Sequence, residues 1–253
     1  MRSCYCTCFC GSTIHQFIGN WKEFLRKPDS YALIDTHGES ISDLGIDHQF
    51  LYSESDVRKN LNFNHSVSKK HFWNSQGNKN IIWFYAHLRM MNFFLKNPTY
   101  DYYWFFDDDV KCNDWDSVLD NIDPRIDFLS YFTFKRSNVT SQHLVPPIDN
   151  KTYSGDGWFN RFPGDTDTLP AGTGEYFGSF FPIVRFSNSA MKTLVQLNLD
   201  GFFGYSEGFV PTTLNYSGHT LDTLYLPDNT SKHFDANVTK ITHKNQTINW
   251  EWI

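Results

Sequence analysis

The chain has 253 residues and a net charge of −6, with 20% charged and 18% aromatic residues. This composition is typical of a globular protein with a large core or a pocket for flat ligands. No long basic run occurs, and no stretch reaches the roughly 18 apolar residues that span a bilayer. We therefore expect neither a nucleic-acid partner nor a transmembrane segment.

The beginning of the chain, "MRSCYCTCFCG", lacks the apolar region and cleavage site of a signal peptide. We therefore expect a cytoplasmic location, with the surface of a membrane as a second setting. Seven Asn-x-Ser/Thr triplets leave an alternative open, in which the chain is the lumenal part of a longer protein. They begin at Asn64, Asn138, Asn150, Asn215, Asn229, Asn237 and Asn245.

Four of the five cysteines recur at every second position, Cys4, Cys6, Cys8 and Cys10. In a strand this spacing directs all four side chains to one face. Neighbouring positions on one strand are badly placed for disulfides, and no second cysteine cluster completes a metal site. We expect reduced cysteines that pack as small core residues.

The first half of the chain alternates strands with helices. The predicted elements are a strand at 4–10, a helix at 12–27, strands at 31–38 and 48–55, a helix at 80–96 and a strand at 100–110. Such alternation predicts an α/β fold with three layers, a mostly parallel sheet and a Rossmann-like nucleotide-binding half.

The second half predicts fewer regular elements. They are a strand at 126–134, a long loop at 141–172, a strand at 178–187 with Pro182 at an edge or bulge, a helix at 188–199 closed by Gly201 and a short helix or turn at 206–218. The loop carries Tyr153, Trp158 and Phe162, which favour a functional role. We expect one domain over 1–253, divided into a nucleotide-binding half at 1–112 and an acceptor-side half at 113–253.

Three predicted strands end in polar residues. They are Asp35-Thr36-His37, Ser53-Glu54-Ser55 and Asp107-Asp108-Asp109. Because ligands bind beyond the carboxyl ends of strands in open parallel sheets, we expect these groups to line one site. Three adjacent carboxylates repel one another unless positive charge lies against them.

The aspartates follow a hydrophobic strand in "YWFFDDDV" and contain the pattern Asp-x-Asp. Carboxylates suit hard cations such as Mn²⁺ and Mg²⁺, which leave coordination positions for a diphosphate. In this context the stretch resembles the metal site of GT-A-type nucleotide-sugar glycosyltransferases. The resemblance covers the first half well and the second half loosely, and it implies a GT-A-like fold with Mn²⁺ or Mg²⁺ as cofactor.

The resemblance also implies roles for individual residues. Asp109 ligates the metal, Asp107 holds the ribose or a metal-bound water and thereby belongs to the metal site, and Asp108 binds either group or orients its neighbours. Such folds usually add a C-terminal histidine ligand. His243 is favoured over His233, although the His-Pro pair often found in the family is absent here.

Further residues belong to the expected donor and acceptor sites. They are Asp35 and Lys244 for the nucleotide and its phosphates, and Glu207, with Glu175 second, as the general base that an inverting reaction needs. The partners implied are a nucleotide-sugar donor, most commonly a UDP-sugar in this fold, and a glycan or other hydroxyl acceptor. The donor sugar, the acceptor and the stereochemistry stay open.

Three other functions remain alternatives. A nucleotidyltransferase shares the metal and diphosphate, but the first strand runs into "CGSTIHQF" without a basic Gly-rich loop. A haloacid-dehalogenase-type phosphatase carries Asp-x-Asp on its first strand, with a Thr or Val where Lys111 stands here. A non-catalytic carbohydrate-binding protein would use the aromatic residues and Ca²⁺ at the aspartates.

Overall fold

The structure is a computed structural model. It describes residues 1–36, 40–41, 43–62, 86–135, 169–170, 173, 175–204, 206–226, 228–244 and 246–247. His37 and the aromatic residues expected in the loop at 141–172 lie outside the described residues.

The elements alternate as expected in the first half. The strands are β1 (Ser3–Cys10), β2 (Ser30–Asp35), β3 (Gln49–Tyr52), β4 (Tyr102–Asp107), β5 (Val110–Cys112), β6 (Phe128–Lys135), β7 (Phe177–Ser187), β8 (Leu221–Thr223), β9 (Ile241–His243) and β10 (Gln246–Thr247). The helices are α1 (Ile14–Trp21), α2 (Glu54–Asn60), α3 (Ala86–Lys96), α4 (Trp115–Asp120), α5 (Asn188–Leu199) and α6 (Ser206–Tyr216), with a short 3₁₀ helix at Phe24–Arg26.

Among the described residues, seven strands form one central sheet in the order β3-β2-β1-β4-β7-β6-β8. All neighbouring strands in it run parallel except β7, which is antiparallel to both β4 and β6. A small second sheet has the order β10-β9-β5. The predicted α/β fold with a mostly parallel sheet is confirmed.

The central strands are buried on both faces, as parallel strands between helices must be. On β4, Tyr103 and Phe105 enter the core that packs against α3, α5 and α6, whereas Trp104 and Phe106 enter the core that packs against α1 and α4. Each fully buried aromatic side chain contributes about 1.5–3 kcal/mol. The predicted three layers are therefore helices, sheet and helices.

The cysteines of β1 behave as expected from their spacing. Cys4, Cys6 and Cys8 are unbridged and buried in the core on the α3 face, and Cys10 at the end of the strand is partly exposed. Burial raises the pKa of Cys8 to about 12. The Cys8 thiol thus stays protonated, and the prediction of small core residues is confirmed for Cys4, Cys6 and Cys8.

The boundaries of α1 and β3 differ from the sequence prediction. Of the helix predicted at 12–27, the α-helical part is Ile14–Trp21, and a 3₁₀ helix with buried Phe24 and Leu25 follows. Lys27 is extended, as a residue before proline prefers, and this ends the helical region. The strand predicted at 48–55 ends at Tyr52, since Ser53 begins α2. The Ser53 side chain and the Asp56 backbone and carboxylate form a capping box, which holds this serine at a helix start.

Two further features of the second half match their prediction. Pro182 lies in β7 where the pairing with β6 shifts register, so its missing N–H interrupts no regular ladder. Gly201 has φ +90°, which suits glycine, and it follows the end of α5. Within the described ranges, every helix is too short or too polar to cross a bilayer.

Candidate active site

The chain crosses the sheet at the junction of β1 and β4. After β1 it adds β2 and β3 on one side, and then crosses back to place β4 on the other side of β1. In open α/β sheets, ligands bind beyond the carboxyl ends of the strands at such a reversal of strand order. Asp107 ends β4 at this position, paired with Cys8 in the neighbouring strand.

The side chain of Asp107 is held by a buried arginine. Arg89, from α3, donates a hydrogen bond from its guanidinium to Asp107 Oδ1 at 2.8 Å. Burial raises the pKa of Asp107 above its usual value, and the charge of Arg89 opposes this rise. Arg89 thus supplies the positive charge that a cluster of three carboxylates requires.

Asp108, the residue after Asp107, begins the turn that takes the chain out of the central sheet. The sequence predicted one strand through Val110, but β4 ends at Asp107 and the separate strand β5 begins at Val110. The indole Nε1 of Trp21 donates to the Asp108 carbonyl at 2.8 Å and thereby anchors this turn. Burial raises the pKa of Asp108 to about 7, and the charges of Asp107 and Asp109 add to the rise.

The turn carries Asp109 to the C-terminal part of the chain. Strand β5 pairs antiparallel with β9, and this register sets Val110 opposite His243. As a result Asp109 Oδ1 lies 3.1 Å from His243 Nε2, with both side chains mostly buried. The ring of Phe180 packs edge-on against His243, with centroids 5.6 Å apart, and so restrains the imidazole.

The donor set of Asp109 and His243 fits a divalent cation. Asp109 Oδ1 is buried, and among the described residues no group hydrogen-bonds to it. Two neighbouring ligands of an octahedral cation with bonds of ~2.1 Å lie about 3.0 Å apart, close to the observed separation. The described residues contain no cluster of three His, Cys, Asp or Glu side chains suited to a metal. The remaining ligands would therefore come from the substrate and water.

Two other predicted donor-site residues lie at this edge of the sheet. Lys244 follows His243 and has φ +53°, and its backbone N–H donates to the Asp109 carbonyl at 3.3 Å. Its side chain is exposed to solvent. Asp35 ends β2 and is buried, and its carbonyl accepts a hydrogen bond from Gly11 at the end of β1.

Glu207 lies near the start of α6, where the helix dipole favours a carboxylate. It contacts β7 twice: its Oε1 accepts from the Phe181 backbone N–H at 3.4 Å, and its carbonyl accepts from Ser179 Oγ at 3.0 Å. This part of β7 extends past Ile183, the partner of Phe106 near the end of β4. Glu207 is therefore placed along the same edge as the aspartates.

His233 and Glu175, the alternatives to His243 as metal ligand and to Glu207 as base, have other partners. His233 lies in the segment after β8, and its Nε2 is 3.4 Å from Oδ2 of Asp222 in that strand. Glu175 is exposed and forms an ion pair with Lys135. The structure thus brings His243, and not His233, against Asp109.

Sequence reasoning missed Arg89, Trp21, His87 and Ser206. Arg89 and His87 stand in the run "AHLRMMNFFL", where nearly every other side chain is apolar and buried. Polar side chains on such a helix need buried partners, and that signal was available. For Trp21 and Ser206 the sequence contains no comparable signal, because their partners are distant in the chain.

We expect His87 to make the protein sensitive to acid. Its side chain is buried, and burial lowers its pKa from 6.5 to about 3. Below pH 6.5 the unfolded chain therefore binds a proton at this histidine that the folded chain does not bind. The folded protein loses stability as pH falls from 6.5 toward 3. Relative to His87→Gln, the wild type should lose about 3 kcal/mol between pH 7 and pH 4.

Urea unfolding of both proteins across this pH range measures the difference, in which the acid groups common to both cancel. The matched control is His15→Gln, which removes an imidazole from an exposed helix position. A constant difference between wild type and His87→Gln from pH 7 to pH 4 would contradict the assignment.

Comparisons with known proteins leave the family open. No family model matches the chain, and no curated protein matches it. Among solved structures it is similar to an active-site mutant of LgtC, with a TM-score of 0.43 and 11% identity over 98% of this chain and 89% of that one. The function is therefore inferred from the site itself.

Proposed function

We propose that the protein is a metal-dependent glycosyltransferase that moves a sugar from a nucleotide-diphosphate donor, best a UDP-sugar, to a glycan or other hydroxyl acceptor. The observation that carries the proposal is the pair of Asp109 Oδ1 and His243 Nε2, 3.1 Å apart at the crossover edge of the sheet. The carboxylate and diphosphate oxygens suit Mn²⁺ or Mg²⁺, and the imidazole nitrogen favours Mn²⁺ of the two.

The donor side of the site is assigned to residues around this pair. When bound, the cation supplies Lewis-acid stabilisation of the departing diphosphate. Asp109 and His243 would hold it, and Asp107, oriented by Arg89, would bind the ribose or a metal-bound water. Lys244, with its exposed ammonium, would contact the phosphates. Asp35 would contact the nucleoside, and Asp108 would orient its neighbours.

The acceptor side is assigned to Glu207. In an inverting transfer its carboxylate accepts the proton of the acceptor hydroxyl while that oxygen bonds to the anomeric carbon. The bond from the anomeric carbon to the diphosphate oxygen breaks in the same step, and the electron pair leaves with the nucleotide. The backbone N–H of Phe181 and the start of α6 keep the Glu207 carboxylate oriented.

Thermal unfolding with a panel of nucleotides and metals tests the proposal. UDP together with Mn²⁺ should stabilise the protein by about 2.7 kcal/mol at roughly 100 times the dissociation constant, whereas UDP alone should stabilise it far less. UDP-sugars with Mn²⁺ should also release UDP slowly by hydrolysis. A protein stabilised by free sugars and Ca²⁺, but by no nucleotide, would instead be a carbohydrate-binding protein.

A further inference from the structure

The residue directly before Glu207 is fixed by a helix from the donor side. Ser206 is buried at the start of α6, and its Oγ lies 2.8 Å from Nδ1 of His87 in α3. The same Oγ accepts from the His87 backbone N–H at 3.3 Å. The His87 ring also packs on Phe209, one turn further along α6, with centroids 5.5 Å apart.

The contact joins a neutral imidazole to a hydroxyl. Burial keeps the imidazole of His87 neutral, with a pKa lowered to about 3. A serine hydroxyl can donate one hydrogen bond and accept two. Ser206 Oγ accepts from the His87 backbone N–H and forms a second hydrogen bond with Nδ1 of the same residue. The two hydrogen bonds fix the Ser206 side chain relative to the backbone of α3.

The same segment of α3 reaches the metal-binding turn. Arg89 stands two residues after His87 and donates to Asp107 at 2.8 Å. His87 thus contacts the helix that bears the proposed base, and Arg89 contacts the motif that holds the donor. On its other side Glu207 is anchored to β7 through Ser179 and Phe181.

We propose that the buried His87–Ser206 pair is a positioning device that sets Glu207 relative to the Asp107–Asp109 turn through α3. The pair touches neither substrate, and it acts through the carboxylate of Glu207. This inference rests on the proposed function, since it assigns Glu207 the role of general base. Displacing a catalytic group by about 1 Å costs up to 100-fold in rate. Loss of the His87–Ser206 contact should therefore lower kcat more than it weakens binding of the donor.

Kinetics in two backgrounds test the proposal. UDP release from UDP-glucose with Mn²⁺, or from the UDP-sugar that stabilises the protein most, is measured for Ser206→Ala alone and combined with Glu207→Gln. We expect Ser206→Ala to lower kcat about tenfold at unchanged KM in the wild-type background. In the Glu207→Gln background the same change should leave kcat within about twofold, because the group it acts through is already lost.

The matched control is Thr213→Val. Thr213 is an equally buried hydroxyl of α6 that, among the described residues, donates to the carbonyls of Phe209 and Val210 in its own helix. Thr213→Val should leave kcat unchanged in both backgrounds. If Ser206→Ala does not fold, His87→Gln replaces it in the same design. Equal effects of Ser206→Ala in both backgrounds, or none beyond the control, overturn the positioning role.

The same experiment distinguishes failure of the positioning role from failure of the proposed glycosyltransferase function. A wild-type protein that Mn²⁺ and UDP stabilise, and that releases UDP, supports the proposed function whatever Ser206→Ala does. A wild-type protein that shows neither property overturns the proposed function and the positioning role together.

Discussion

Asp109→Asn is expected to abolish the stabilisation by Mn²⁺ and UDP and to lower sugar transfer about 100- to 1,000-fold. Asp109 Oδ1 is a buried oxygen with no hydrogen-bond donor among the described residues, and it faces His243 Nε2. An amide in its place is uncharged and binds a cation poorly. Without ligand the variant should be as stable as wild type or more stable, because one of three adjacent negative charges is gone.

Thermal unfolding with and without Mn²⁺ and UDP measures the binding effect, and UDP release measures turnover. The matched control is Asp116→Asn, which removes the same charge from an exposed side chain of α4 paired with Lys27. This control should keep the full response to Mn²⁺ and UDP. Retention of that response by Asp109→Asn would remove this residue from the metal site.

Arg89→Met is expected to destabilise the folded protein by about 3 kcal/mol at pH 8. The Arg89 side chain is 12% exposed and that of Asp107 is 30% exposed, so removal of the guanidinium leaves a partly buried carboxylate without its partner. The loss should shrink toward pH 5, because Asp107, whose pKa is already raised by burial, then binds a proton. Adding Asp107→Asn should restore part of the lost stability, since no unpaired charge remains.

Chemical denaturation of the two single variants and the double variant gives the coupling energy of the pair. The control is Arg58→Met, which breaks an ion pair with Glu54 on α2 at side chains about one-third exposed. Exposed pairs of this kind contribute about 0.2–1 kcal/mol. A loss for Arg89→Met no larger than the control, or the absence of coupling to Asp107, would contradict the assignment.

The parts of the fold that the sequence predicted are those with local signals. The alternating cysteines of β1 and the aromatic run of β4 predict buried strands, and their order with helices predicts the parallel sheet. The carboxyl end of β4 then locates the aspartates at the edge where open α/β sheets bind ligands. The division into a donor half and an acceptor half stays a prediction.

The parts that it did not predict depend on contacts between distant residues. The end of β4 at Asp107 follows from the pairing of β5 with β9, which lies about 130 residues further along the chain. The Arg89–Asp107 and Trp21–Asp108 contacts likewise join separate elements. The roles assigned to the site residues stay predictions until they are measured. They are Asp35, Asp107, Asp108, Asp109, Glu207, His243 and Lys244.

Pulsed EPR of Mn²⁺ bound to the protein with UDP is the most direct test of the Asp109–His243 metal site. The Mn²⁺ electron spin should couple to phosphorus of the diphosphate and to one imidazole nitrogen. In His243→Gln the nitrogen coupling should vanish, while any Mn²⁺ still bound keeps its phosphorus coupling. A wild-type spectrum without nitrogen coupling, or a nitrogen coupling that persists in His243→Gln, would contradict the proposed metal site.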